Sequence, residues 1–446
     1  MTAKFASVRT SSRGQVLQEE GKRLIPGLSQ LLSKRPDRFC PGAWPTYYSK
    51  ARGVEVWDLD GNHYIDMSIG GIGANVLGYA DHDVDAAVQT AIAAGTSCSL
   101  NCPEDVELAQ LLCELHPWAG MAKFARSGGE AMAVAIRIAR AYTGRDKIAF
   151  CGYHGWHDWY LAANLTTEDA LSEHLLAGLP PRGVPAVLGG TAFPFRYNRL
   201  DDLQSIVRQH GRDIAAIVME PIRNHWPQTG FFENVVSLAS ECGAVFVIDE
   251  ISAGFRMNSA GAHMILGVEP DIAVFSKAIS NGYPMAAIIG KASVMQAAQS
   301  TFISSTSWTE RIGPAASLAT IRKHCRLDVS AHLMEIGRLV QDGWRHATDK
   351  HGLDIQVGGI PPLSHFTFGA LNGMSLKAGF VQLMLKRGFL ASDSFYAMWA
   401  HTQEHVNRYL GAVDESFEEL AALHRAGRLE EMLIAGPAVA GFQRLA

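Results

Sequence analysis

The chain has no apolar run approaching the roughly 20 residues a membrane-crossing helix needs, although 48% of its 446 residues are hydrophobic. Its first residues, MTAKFASVRTSSRGQVLQEE, are polar and lack the apolar centre of a secretory signal. Cysteine is scarce: seven residues, scattered, odd in number and without a CxxC pair. That argues against a disulfide framework and reads as reduced, packing thiols in a cytoplasmic protein. Charge is low as well. Charged residues make up 19% and the formal net charge is -5, so nothing favours nucleic acid or an anionic membrane as partner. Internal repeats and low-complexity segments are missing too.

What remains is globular composition with ample material for a core, at a length that suits two or three folding units. GVEVWDLDGNHYIDM alternates apolar and polar residues around Asp60-Gly61, a hairpin signal. Amphipathic helices are expected at about 83–95 and 104–116. Between about 120 and 320, short apolar runs alternate with helical stretches: KIAFC (147–151), IAAIVME (214–220), VFVIDE (245–250), IAVFS (272–276) and AAIIG (286–290). Continuous rather than alternating runs suit strands covered on both faces, hence an α/β fold with a mostly parallel central sheet. After about residue 325, helices expected at 328–348, 376–387 and 403–425 surround short strand candidates such as SHFTFG, as in a smaller α+β domain. The expected division is an N-terminal segment (1–60) joining the small domain, a large domain (61–325) and a C-terminal small domain (326–446).

In open α/β sheets, ligands bind at the carboxyl ends of the strands. Asp249 and Glu250 end VFVIDE, Glu220 ends IAAIVME and Lys277 follows IAVFS. A buried carboxylate is costly unless paired, so acids there point to a site. Three further stretches carry chemistry. In RSGGEAMAVAIRIARAYTGRDK (126–147), Ser127-Gly128-Gly129 opens an amphipathic helix, where free N–H groups and the dipole suit a phosphate. Read alone, it is first of all a plain Ser/Gly cap. CGYHGWHDWY (151–160) gathers aromatics that could lie over a flat ring or simply pack. His154 and His157 lack further spaced ligands, so no metal site is expected. In VFSKAISNGYPMAAIIG (274–290), Lys277 has apolar flanks, and burial frees a lysine amine for Schiff-base chemistry. Alone it also reads as an ordinary strand-end lysine. Together, a phosphate cradle, an aromatic plate, a buried Asp and a Lys at neighbouring strand ends are what pyridoxal phosphate requires.

With DGNHYIDM, SGGEA, YHGWHD, MEP, DEISAGFR and SKAISNGYP in one chain, the sequence resembles the class III, fold-type I pyridoxal-phosphate aminotransferases, in the branch that includes glutamate-1-semialdehyde aminomutases. The resemblance runs from GVEVWDLDGNHYIDM to AHTQEHV. It implies that Lys277 carries the cofactor and that Asp249 binds its ring nitrogen. It implies ring contacts from Ile251 on one face and Tyr153 on the other, with Glu220 beside them and Gly128 and Gly129 at the phosphate. In STSWTERIGPAA (305–316), Thr306, with Thr309 as rival, matches a residue reaching the partner subunit's phosphate. A homodimer with a shared site follows, with pyridoxamine phosphate as the intermediate carrier and a small amino donor and carbonyl acceptor as substrates.

The chain also departs from that pattern. Gly129 replaces a hydroxyl residue of the phosphate turn. CPGAWPTYY lacks the arginine that aminomutases use for a substrate carboxylate, and Tyr396, in SFYAMWAH, stands where they carry a glutamate. Arg223, close to Glu220, suits either substrate or a neighbouring acid. These changes argue against glutamate semialdehyde and leave room for a keto-sugar or other carbonyl substrate. An intramolecular aminomutase is the alternative; a silent binding relative is a further reading, opposed by the presence of both Lys277 and Asp249.

Overall fold

A computed structural model describes residues 12–441 except 168, 175, 176 and 223. Arg223 therefore lies outside the described residues. The continuous apolar runs become the centre of a seven-stranded sheet. Its order is Met121–Ala125, Ala286–Gly290, Ile272–Phe275, Val245–Asp249, Ile214–Met219, Lys147–Cys151, Ala192–Pro194. Ile214–Met219 and Val245–Asp249 are buried at every position. Their side chains alternate between two cores. Val218 and Val247 pack with Ala131, Met132, Ala135 and Ile138 of the helix Gly128–Thr143. Ile217, Phe246 and Ile248 pack on the other face with Phe231, Phe232 and Val235.

One strand differs from expectation. Ala286–Gly290 runs antiparallel to both of its neighbours. The reason is distance along the chain. Too few residues separate it from Phe275 for the crossover of a dozen or more that a parallel return requires. Instead Ser280-Asn281-Gly282-Tyr283-Pro284 turns the chain back, with Asn281 left-handed at φ 47°.

The N-terminal hairpin forms as the pattern implies. Glu55–Asp58 pairs antiparallel with His63–Met67, and Asp58 Oδ1 accepts the N–H groups of Asp60 and Asn62, both at 2.9 Å. A strand from far along the chain, Phe389–Ala391, adds to it in parallel. A separate antiparallel sheet joins Ile355–Gly358, Leu363–Phe368 and Ser394–Tyr396. It is backed by the helices Val329–His351, Gly373–Lys386 and Gln403–Arg425, with Trp344, Phe380 and Phe417 edge-on or tilted around Phe366 and each other. Among the described residues, no helix is long and apolar enough to cross a membrane.

Burial gives this core a pH dependence. His116, His324 and His401 are sealed from water, and loss of solvation pushes each down to about 4. The unfolded chain binds their protons nearer pH 6.5, so it is the more protonated state in between, and stability rises with pH there. Their contribution is complete above about pH 6.5 and is lost as pH falls through about 4, on the order of 3 kcal/mol per histidine. Urea unfolding at pH 7.5, 6.0 and 5.0 should show a falling midpoint. An unchanged midpoint across that range would mean the three rings are not held neutral.

Candidate active site

The sheet brings its parallel strand ends together. Asp249 closes Val245–Asp249 at 2% exposure. Its Oδ1 accepts the Ile251 N–H at 3.0 Å, which folds the chain tightly back over the strand end. Its Oδ2 lies 2.8 Å from Nδ1 of His154, whose Nε2 is 3.1 Å from the Cys151 carbonyl oxygen. His154 is therefore the partner of the buried acid. The sequence marks it only as a histidine in an aromatic turn, and its signal is its place just past the neighbouring strand Lys147–Cys151.

Lys277 begins just past Ile272–Phe275, with a left-handed backbone at φ 50°. A lysine there bears strain on the order of 1 kcal/mol or more, of the kind that collects at functional sites. Its Nζ donates to Ser252 Oγ at 2.7 Å. The following turn is locked: Asn281 Oδ1 accepts the Leu77 N–H and its Nδ2 donates to the Gly78 carbonyl.

Tyr153, two residues past Lys147–Cys151, is tied to Glu220. Glu220 Oε2 accepts the Tyr153 N–H at 3.1 Å. Gly152, at φ 113°, makes this approach possible, since a Cβ there would sit 2.6 Å from that same oxygen. The acid thus fixes the backbone that presents the tyrosine.

The Ser-Gly-Gly turn starts the helix Gly128–Thr143. One oxygen of Glu130 collects the N–H groups of Arg126 and Ser127 together with the Ser127 hydroxyl. The first N–H groups of a helix have no partner within it, so the turn presents donors to an anion. Any Cβ on Gly128 would meet Ile251 Cδ1 at 2.9 Å. One on Gly129 would lie 3.3 Å from the His157 ring and 3.5 Å from the Trp156 indole nitrogen. A side chain at this position would fit only with a shift of a few tenths of an ångström by the His157 ring.

Thr306 and Thr309 bound one short 3₁₀ turn, and both are exposed. Arg126 ties this segment to the phosphate turn by donating to the carbonyls of Trp308 and Glu310 at 2.9 and 2.7 Å. The Thr309 hydroxyl donates to the Thr306 carbonyl and so closes its own turn. Among the described residues no group of three or more His, Cys, Asp or Glu side chains could hold a metal ion.

The arrangement fits a flat, phosphorylated, cationic ring: a helix-start cradle crowded by Ile251, a sealed carboxylate, an aromatic side chain and an amine at the adjacent strand end. The family model for class-III aminotransferases matches residues 41–360. The chain belongs to that family. It is a pyridoxal-phosphate-dependent aminotransferase, with fold-type I architecture. It is 32% identical to the 3-aminobutyryl-CoA aminotransferase of Cloacimonas acidaminovorans, over 92% of this chain and 97% of that protein. It is also 32% identical to the 2'-deamino-2'-hydroxyneamine transaminase of Streptomyces kanamyceticus (84% and 91% covered). The glutamate-1-semialdehyde 2,1-aminomutase of Heliobacterium modesticaldum gives 32% as well (93% and 98%). Among solved structures, the FumI protein of Sphingopyxis sp. MTA144, determined with PLP, superimposes with a TM-score of 0.83 at 26% identity, covering 96% of this chain and 99% of that one. Equal identity to transaminases and to a mutase leaves the choice between them to the site.

Proposed function

We propose that this aminotransferase works between two molecules, taking nitrogen from an amino donor and giving it to a separate carbonyl acceptor of low acidity, such as a keto-sugar. The observation that carries this reading is the surrounding of Tyr396. Its ring lies 3.2 Å from where a Cβ of Gly73 would be, beside the Arg256 guanidinium. Arg256 is 1% exposed and already donates to the carbonyls of Gly73 and Ser252. A phenol beside a sealed cation whose donors are already taken by carbonyls is a poor grip for a small carboxylate-bearing intermediate that a mutase must retain. It suits a hydroxyl-rich acceptor, in keeping with the neamine transaminase among the relatives.

In this reading Lys277 would bond the cofactor, Gly128 and Gly129 would hold its phosphate, and Tyr153 and Ile251 would contact its ring. Glu220 supports Tyr153. When bound, pyridoxal phosphate supplies an electron sink for the bond broken at the donor's α-carbon. Asp249, oriented by His154, would keep the ring nitrogen charged. Lys277, once its amine is free, takes up the proton released at that carbon.

The test uses a ¹⁵N-labelled donor. Given the donor alone, each site should release one equivalent of carbonyl product and stop. A separate acceptor should restart turnover and finish with the ¹⁵N. Label found on a neighbouring carbon of the same skeleton, with no second substrate needed, would make the enzyme a mutase.

The proposed assembly is a cytoplasmic homodimer in which Thr306 of each protomer reaches the other's phosphate site. Its exposure on a turn fixed by Arg126 supports this. Neither Thr306→Ala nor Lys277→Ala subunits alone should be fully active. Mixed, they should recover part of the activity, because one of the two sites in a heterodimer then carries neither lesion. A fully active monomer at assay concentration would rule the assembly out.

A further inference from the structure

The parallel register sets a second relationship that the family motifs leave unassigned. Asp249 is paired with Val274 across the two central strands. Three residues beyond each lie Ser252 and Lys277, and their side chains meet at 2.7 Å with the amine donating to the hydroxyl. Lysine is a long, freely rotating chain whose ordering has an entropic cost. Ser252 is the opposite, a short side chain on a pinned turn. Ile251 N–H is bonded to Asp249 Oδ1, Gly254 N–H to the Glu250 carbonyl at 2.8 Å, and Arg256 Nε to the Ser252 carbonyl at 3.3 Å. Gly254 keeps that turn tight: a Cβ there would stand 2.7 Å from the Glu250 carbonyl oxygen and 2.8 Å from the Phe275 ring. The Ser252 backbone is thereby fixed relative to Asp249.

We propose that Ser252 is a positioning residue for Lys277, its hydroxyl accepting an N–H of the amine whenever Lys277 is not bonded to the cofactor and stabilising the ammonium once a proton has been taken up. This rests on the reading of Lys277 as the cofactor-bonding lysine. In the proton step, the C–H bond of the donor breaks and an N–H bond forms on Lys277, whose lone pair takes the proton. The resulting ammonium has one more hydrogen to place, and Ser252 Oγ accepts it. The electron pair of the broken bond stays on the carbon side. Ser252 itself neither gains nor loses a proton.

The test compares Ser252→Ala and Ser252→Thr in the full-length protein. Turnover of Ser252→Ala should fall roughly ten- to hundredfold, the scale of a lost hydrogen bond to a charged group, with KM for the donor unchanged. In cofactor-free protein the same change should speed acetylation of Lys277 at pH 8, followed by peptide mass spectrometry. The reason is that removing the acceptor disfavours the ammonium and exposes the neutral amine. Loss of kcat alongside faster labelling is a pair that simple damage to the turn would not give. Ser252→Thr keeps the hydroxyl and should return both quantities close to wild type, which also separates the role of the hydroxyl from any folding defect. Unchanged kcat and labelling in Ser252→Ala, or failure of Ser252→Thr to restore them, overturns the proposal. Borohydride reduction of the wild-type holoenzyme with peptide mapping distinguishes the two levels. A pyridoxyl label on another lysine overturns both readings, whereas a label on Lys277 with a normal Ser252→Ala overturns this one alone.

Discussion

Lys277→Ala is expected to bind pyridoxal phosphate without a covalent bond and to turn over about ten-thousandfold more slowly, the upper range for losing a positioned acid–base group. On the proposed role of Lys277, two functions would disappear together: the cofactor's anchor and the acceptor of the proton released from the donor. The fold should survive. Lys277 occupies a left-handed backbone at φ 50°, a conformation that alanine also tolerates only under strain. The neighbouring turn is held independently by Asn281, through Leu77 and Gly78. Thermal unfolding of the cofactor-free variant should therefore resemble that of the cofactor-free wild type. After borohydride treatment, the wild type should carry a pyridoxyl group on the peptide containing Lys277, and the variant should carry none. Retention of a reducible cofactor bond in Lys277→Ala would assign the chemistry to another lysine.

Much of the architecture was legible because burial on both faces forces a strand to be apolar throughout. VFVIDE and IAAIVME announce themselves in that way, and both are buried along their strand length. The same logic located the candidate residues, since a carboxylate or lysine ending such a run has little structural reason to be there. Helices with a clear apolar stripe were legible to within a few residues, as with Gln403–Arg425. Strand direction was not written in composition. Ala286–Gly290 looks like its parallel neighbours, and only the short connection behind it dictates the reversal. Met121–Ala125 escaped notice because it is mostly half-buried and carries a lysine. Partners were the least visible. Asp249 and His154 are far apart in sequence, and their pairing depends on two strands ending side by side. Ser252 and Lys277 meet through a register that no single motif contains. Glu220 was legible as a strand-end acid, but its bond to the Tyr153 backbone depends on the glycine that precedes the tyrosine.

The second large effect is expected from Asp249→Asn: a folded protein that binds cofactor and is slower by about a thousandfold, the equivalent of roughly 4 kcal/mol for breaking a buried charge pair. Asparagine has the same shape, and the surroundings can accept it. Its carbonyl oxygen can take the Ile251 N–H now received by Oδ1, and its amide can donate to His154 Nδ1, now 2.8 Å from Oδ2. His154, protonated at Nε2, can then keep its bond to the Cys151 carbonyl. Every polar group retains a partner, so no buried donor or acceptor is stranded. What disappears is the negative charge. A neutral amide cannot hold a proton on the cofactor's ring nitrogen, and without that charge the ring is a weaker electron sink. Circular dichroism and thermal unfolding should match the wild type while kcat collapses. On the proposed role, in which the charge serves the chemical step rather than donor recognition, KM should move far less than kcat. Turnover within a few-fold of wild type would show that the sealed acid serves the strand end and His154 rather than the cofactor.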